Sequence, residues 1–170
     1  LIACTVVADP SAQKILIVDD NKVNVELIRA QLKKFDYTLT AAYDGEEALA
    51  QVKSSPPDLI LLDLMMPKVS GYDVCKAIKQ DPETHFIPII VITALQELDD
   101  KIKAIALGAD DFLVKPFNKV ELTTRIRSLL HMKRLHDDLE QSENVLFSLV
   151  TAMEAKDPYV KGHSERVARS

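Results

Sequence analysis

Four short runs of the chain are almost continuously apolar, at residues 15–18, 59–62, 89–92 and 112–114. Strands with one wet face alternate apolar and polar residues, whereas uninterrupted runs of this length suit strands covered on both faces, as in a parallel sheet. A fifth run at 38–42 is less apolar and suits an edge strand. Between the runs, the stretches at about 23–34, 45–53, 72–79 and 98–107 carry apolar residues at three- and four-residue spacing, the period of an amphipathic helix. The order reads βαβαβαβαβα. It predicts an α/β, doubly wound open sheet with right-handed crossovers, and it places any site at the carboxyl ends of the central strands. The helix breakers agree: Asp44-Gly45, Ser54-Ser55-Pro56-Pro57 and Asp81-Pro82 interrupt the pattern, and Gly108 stands where a helix C′ glycine belongs.

After Asn118 a helical pattern runs to about residue 153 with no Gly or Pro. Leu122, Ile126, Leu129 and Leu130 are spaced to cover the sheet. Met132, Leu135, Leu139, Ser142, Leu146, Leu149 and Met153 then step by three and four alternately, a heptad seam. A helix packed only on its own domain would not need this seam, which continues about three turns past that domain's expected end. A dimerising or signalling coiled-coil linker over 131–153 is therefore expected, with Ser142 its weak position.

Composition narrows the class. The chain has 170 residues, 47% hydrophobic and 28% charged, which suits one α/β domain with an extension and argues against disorder as the main state. A net charge of −5 offers no basic footprint for a nucleic acid. Cys4 and Cys75 are too few for a disulfide framework or a zinc cluster, so a reducing, cytoplasmic setting is expected. The apolar opening, residues 1–8, lacks a basic leader region and is too short to span a membrane. Because the chain starts without Met and stops in mid-pattern at Ser170, it reads as a fragment, with 1–13 a disordered linker or remnant ahead of the fold.

The polar residues at the strand ends carry the chemistry. Asp19 and Asp20 close the first strand, Asp63 the third, Thr93 the fourth and Lys115 the fifth, so all five converge on one rim. Singly these would read as a helix cap, a turn residue and a solvated lysine. Together, carboxylates about 4 Å apart would repel by roughly 4 kcal/mol per pair at an effective dielectric near 20. Such a cluster calls for cations. With no His or Cys at the strand ends, Mg²⁺ fits the oxygen donors better than zinc. Lys115 adds a second positive charge and Thr93 a hydroxyl, the surroundings a phosphoryl group needs, and Asp63, set across the metal from Asp19 and Asp20, is the candidate nucleophile.

These residues, with their neighbours, resemble a response regulator receiver domain over about 14–130. The matching elements are Ile17-Val18-Asp19-Asp20-Asn21, Asp63-Leu64-Met65-Met66-Pro67 with Gly71, Val91-Ile92-Thr93-Ala94, Gly108-Ala109-Asp110-Asp111-Phe112 and Lys115-Pro116-Phe117. The resemblance implies a flavodoxin-like (CheY-like) fold with a five-stranded parallel sheet of order 2-1-3-4-5. It implies Asp63 as phospho-acceptor, Asp20 as a direct Mg²⁺ ligand, Asp19 acting mainly through water, and the Met65 backbone carbonyl completing the protein ligands. Thr93 and Phe112 would be a coupled switch pair, Ala94 would leave access to the phosphoryl group, and Lys115-Pro116 would be cis. Ser70 stands where the family often has Asp. A sensor histidine kinase or phosphotransfer protein is the implied donor, and a homodimer through the C-terminal helix, or through the face of the fourth helix, fifth strand and fifth helix, is the implied response. On that face Asp110, Asp111, Arg125 and Arg127 read as solvated charges, with cross-subunit ion pairs as the alternative. No membrane and no direct nucleic-acid partner is expected, and beyond its own phosphorylation and dephosphorylation the chain is not expected to be an enzyme.

The tail carries a second resemblance. Met153-Glu154-Ala155-Lys156-Asp157-Pro158-Tyr159, then Gly162-His163-Ser164-Glu165-Arg166-Val167-Ala168-Arg169, is similar to the entry of an HD-GYP domain, a family of metal-dependent cyclic-di-GMP phosphodiesterases. Residues 154–170 would be the truncated start of such an output domain. One histidine, His163, cannot hold a catalytic metal. A haloacid dehalogenase-type hydrolase fits poorly, because its Asp-x-Asp arrangement after the first strand is here Asp19-Asp20-Asn21. A flavodoxin-like cofactor binder would need a phosphate-receiving loop there, which adjacent carboxylates would repel.

Overall fold

The computed structural model describes residues 12–94 and 98–156. In chain order its elements are β1 (Gln13–Val18), α1 (Lys22–Leu32), β2 (Tyr37–Ala42), α2 (Gly45–Ser54), β3 (Leu59–Leu62), α3 (Gly71–Gln80), β4 (Ile89–Thr93), α4 (Leu98–Ala106), β5 (Asp111–Val114) and α5 (Lys119–Lys156). The five strands form one parallel sheet of order β2-β1-β3-β4-β5, the predicted arrangement. Strand β1 starts at Gln13, inside the stretch expected to precede the fold. Residues 1–11, with Cys4, and the HD-GYP-like residues 157–170, with His163, lie outside the described residues.

The apolar runs are buried on both faces because their side chains point alternately to two cores. Leu16, Val18, Ile60, Leu62, Ile89 and Val91 meet Ala48, Val52, Val74, Ile78 and Ala104 from α2, α3 and α4. Ile15, Ile17, Leu59, Leu61, Ile90 and Ile92 meet Val25, Ile28, Leu32, Leu122, Ile126 and Leu130 from α1 and α5. Strands β2 and β5 are the edges: in β2 Thr38 and Thr40 are exposed, which is why its sequence is less apolar, and in β5 only Leu113 is buried, so the run at 112–114 is less covered than its sequence suggests.

Local chemistry sets the helix starts. Asn21 accepts from Val23 N at 2.9 Å. Asp44 accepts from Glu47 N at 2.7 Å while Glu47 reaches back to Tyr43 N at 2.8 Å, a reciprocal cap. Ser70 accepts from Asp73 N at 3.3 Å and donates to Asp73 Oδ2 at 2.8 Å, so it serves as the N-cap of α3. Gly108 has φ +96°, the left-handed conformation expected at a helix end.

Of the four charges expected to be solvated, or paired between subunits, Arg127 is exposed and the other three are paired within the chain. Arg125 holds Asp111 at 2.6 Å and Glu121 at 3.2 Å within the chain. Asp110 Oδ2 accepts from Ile89 N and Lys79 Nζ, both at 2.8 Å, and Lys79 also donates to the carbonyls of His85 and Ile87. This knot ties α3, β4 and β5 together at the amino end of the sheet. Arg127 lies near Tyr37, whose phenol burial pushes up.

The chain divides into two units at Lys133 and Arg134. No described helix is long and apolar enough to cross a membrane.

Cys75 is a free thiol inside the core. Burial pushes it up to about 11, against a partial lowering by Lys79. At pH 8 it is therefore protonated as well as shielded, and iodoacetamide should label it about a hundredfold or more slower than in unfolded chain. Peptide mass spectrometry checks this, and equal labelling in the two states would contradict the packing.

Candidate functional site

The parallel ladder continues past the strands and carries the polar residues with it. Asp19 N donates to Ala42 O at 3.2 Å, Asp63 N to Val18 O at 2.9 Å, and Lys115 N to Thr93 O at 2.8 Å. Asp19, Asp63, Thr93 and Lys115 are thereby set side by side at the carboxyl rim, as their positions after the strands predict. Carboxylate oxygens of Asp19, Asp20 and Asp63 lie within 4.8 Å of one another. Asp19 and Asp63 are buried, at 3% and 8% exposure, while Asp20 stands open at the mouth.

One ammonium bridges the buried pair. Lys115 Nζ lies 3.0 Å from Asp19 Oδ2 and 3.2 Å from Asp63 Oδ2. Burial alone would push this lysine down, but its hydrogen bond to Asp19 and the nearby Asp63 and Asp19 charges outweigh that and hold it above its ordinary value. For Asp63 the balance tips the other way: burial raises its carboxyl, and Lys115 and the Met65 N–H at 3.2 Å lower it only in part. Among the described residues, three carboxylates stand against one ammonium, which leaves the rim anionic. An all-oxygen donor set of this charge, open to solvent on the Asp20 side, suits a hard divalent cation.

Two supports escaped the sequence reading. Asn24 Nδ2 donates to both oxygens of Asp19, at 3.2 and 3.0 Å, and Asn21 N donates to Asp19 Oδ1 at 2.9 Å. With Lys115 they occupy the Asp19 carboxylate, leaving Asp20 the more open of the pair. The only signal was an amide one turn into α1, whose reach depends on how that helix leaves the strand. The second support is Gly71. A Cβ there would overlap the Asp63 carbonyl oxygen and lie 2.6 Å from Leu64 Cα, and Gly71 N donates to Leu64 O at 3.1 Å. The glycine lets the loop from β3 close over the backbone of Asp63, with Lys68 at φ +67° on the way.

Thr93 is buried at 2% exposure. Phe112 pairs with Val91 in the sheet, and Thr93 with Val114. Val91 and Thr93 are two apart, so Thr93 and Phe112 share the sheet face that α2, α3 and α4 cover, where Phe112 is partly buried. Ala94 is exposed at the end of β4, and the Met65 side chain is 61% exposed. The Lys115-Pro116 peptide is cis. Beside Lys115, a cavity of about 350 Å³ is lined by Asn24, Leu27, Ile28, Pro116 and Phe117.

A family model described as the response regulator receiver domain matches residues 15–127. Response regulator PleD of Caulobacter vibrioides is 45% identical over 130 residues, covering 76% of this chain and 29% of that protein. The alkaline phosphatase synthesis transcriptional regulatory protein PhoP of Bacillus subtilis is 38% identical over 132 residues, covering 78% of this chain and 54% of that one. Among solved structures, the chemotaxis protein CheY4 of Vibrio cholerae matches with a TM-score of 0.66 and 31% identity, covering 70% of this chain and 99% of that one. The matched part of the chain thus spans less than a third of PleD and about half of PhoP.

Two stability measurements test this geometry. A carboxyl raised by folding stabilises the fold while protonated and loses that contribution as pH rises through its titration. In metal-free buffer Asp63→Asn should therefore unfold at higher urea than the parent chain at pH 7, and the gap should close below the ordinary aspartate range; a less stable variant at pH 7 would contradict the site's electrostatics. Gly71→Ala should cost about 1–3 kcal/mol, the usual range for overpacking. An unchanged urea midpoint would mean that the loop yields freely.

Proposed function

Since the chain belongs to the response regulator receiver family, we propose that Asp63 accepts a phosphoryl group from a phosphohistidine of a sensor kinase or phosphotransfer protein. The observation that carries this is the buried Asp63 carboxylate held by Lys115 beside Asp19, with Asp20 open at the mouth. Asp20, Asp63 and the Met65 carbonyl would hold Mg²⁺, with Asp19 acting through water. When bound, the ion supplies charge neutralisation at the phosphoryl oxygens. An Asp63 carboxylate oxygen attacks phosphorus as the phosphorus–nitrogen bond breaks, and the imidazole leaves with a proton from solvent. Lys115 moves its hydrogen bond to a phosphoryl oxygen, and the exposed Ala94 leaves the approach clear. Val23 and Leu27, at 73% and 53% exposure on α1, and the apolar cavity beside Lys115 offer the donor a landing surface next to the nucleophile.

The Thr93 hydroxyl then turns toward the phosphoryl group, Phe112 packs deeper on the same sheet face, and the surface of α4, β5 and α5 changes. In this reading residues 14–130 are the receiver, 131–153 a linker helix that pairs two copies, and 154–170 the start of an HD-GYP-like output, so that the longer protein would be a cyclic-di-GMP phosphodiesterase switched by Asp63. Support for that output is the 153–169 sequence pattern alone.

The test is incubation with acetyl phosphate and Mg²⁺ followed by intact mass. The expected result is one added, alkali-labile phosphoryl group, absent when Mg²⁺ is chelated and absent in Asp63→Asn. A labile phosphoryl group on Asp63→Asn would overturn the assignment.

A further inference from the structure

Helix α5 changes its surroundings along its length. Leu122, Ile126 and Leu130 are fully buried against the sheet. The next positions of that stripe are Lys133, Arg134 and Asp137, so the stripe ends there. The apolar residues of the heptad seam, Met132, Leu135, Leu139, Leu146, Leu149 and Met153, are each more than half exposed. A strict alternation of three and four over seven positions is what a second helix running alongside requires, whereas a globular partner needs no such period.

Resting on the reading of residues 131–153 as a dimerising linker, we propose that α5 pairs with a second copy of this chain in parallel and in register, with a built-in weak layer at Ser142. In the heptad, Met132, Leu139, Leu146 and Met153 take the a positions, and Leu135, Ser142 and Leu149 the d positions. Parallel in-register packing sets each residue against its own copy, so the single polar residue falls in one layer and every other layer is apolar. In any antiparallel register a faces d, and symmetry then sets Ser142 against an apolar residue twice. Ser142 Oγ already donates to Asp138 O at 2.9 Å, so its burial in the seam leaves no unmet donor.

The flanking residues divide the pair into unequal halves. In a parallel pair a g residue faces the following e residue of the other helix. Val145 then meets the second copy's Val150, widening the apolar contact beside Leu146 and Leu149. Asp138 meets the second copy's Glu143, a like-charge contact on either side of the Ser142 layer. The carboxyl half thus holds the pair together, and the middle heptad opposes it. Such a seam is marginal by composition, which lets the receivers' own contacts decide how closely the helices wind.

Disulfide trapping in the full chain tests orientation directly. With Cys4 changed to Ser and Cys75 buried, Ser142→Cys should oxidise to a linked dimer, because the two d residues of one layer lie within disulfide reach, while Asn144→Cys on the outward side should stay unlinked. Ser142→Leu should lower the dimer dissociation constant by about tenfold or more through the added apolar layer. A chain that sediments as a dimer without linking at Ser142→Cys would overturn the parallel register, as would equal linking at both positions. A parent chain that stays monomeric with and without acetyl phosphate and Mg²⁺ would instead sink the dimerising linker itself, and a trimer or tetramer mass would overturn the two-copy pairing.

Discussion

The structure turns on an electrostatic constraint: three carboxylates are brought to one rim of a parallel sheet, and folding alone supplies one cation to hold them. Lys115 reaches both buried members from the end of β5. Its ammonium keeps the rim compact without neutralising it. The remaining negative charge invites a hard cation, and burial holds the Asp63 carboxyl above its ordinary range despite Lys115. Such an incomplete balance suits the proposed binding of a metal and then of a phosphoryl group, because a fully paired cluster would have nothing to gain from either.

The rest of the fold serves to maintain that convergence. Residues on β1, β3, β4 and β5 are adjacent because parallel strands end on the same side and because backbone hydrogen bonds run one residue beyond the strands, to Asp19, Asp63 and Lys115. The two apolar cores lock the register, since a slip of one residue would exchange the faces of a whole strand. The same register sets Thr93 and Phe112 on one face of the sheet. At the opposite end of the sheet the Lys79–Asp110 knot ties α3, β4 and β5 together.

Helix α5 joins two kinds of packing in one element. Its first turns complete a core, and the later ones expose a heptad seam. Arg125 is held by Asp111 and Glu121 of its own chain, while the proposed pairing of α5 uses the exposed seam beyond these residues.

The alternation of strands and helices, the five rim residues and the long helix were legible from the chain because each rests on a local pattern of apolar runs, helical spacing and breakers, whereas the strand order β2-β1-β3-β4-β5 was implied by the family resemblance and is the order the sheet has. Asn24 as a support of Asp19, Asp111 as the partner of Arg125 and the crowding at Gly71 were not, because each depends on a distance between segments whose approach no local pattern encodes, whereas the Ser70 cap rests on a local Ser70–Asp73 spacing. By itself the sequence determined which residues could do chemistry and which strand ends would carry them, since periodicity and strand polarity are properties of the chain. Only the tertiary structure decided how their charges are shared. Burial and the reach of Lys115 separate Asp19, held by three donors, from Asp20, left open, and Asp63, left raised, and these are relations that exist only once the strands lie side by side.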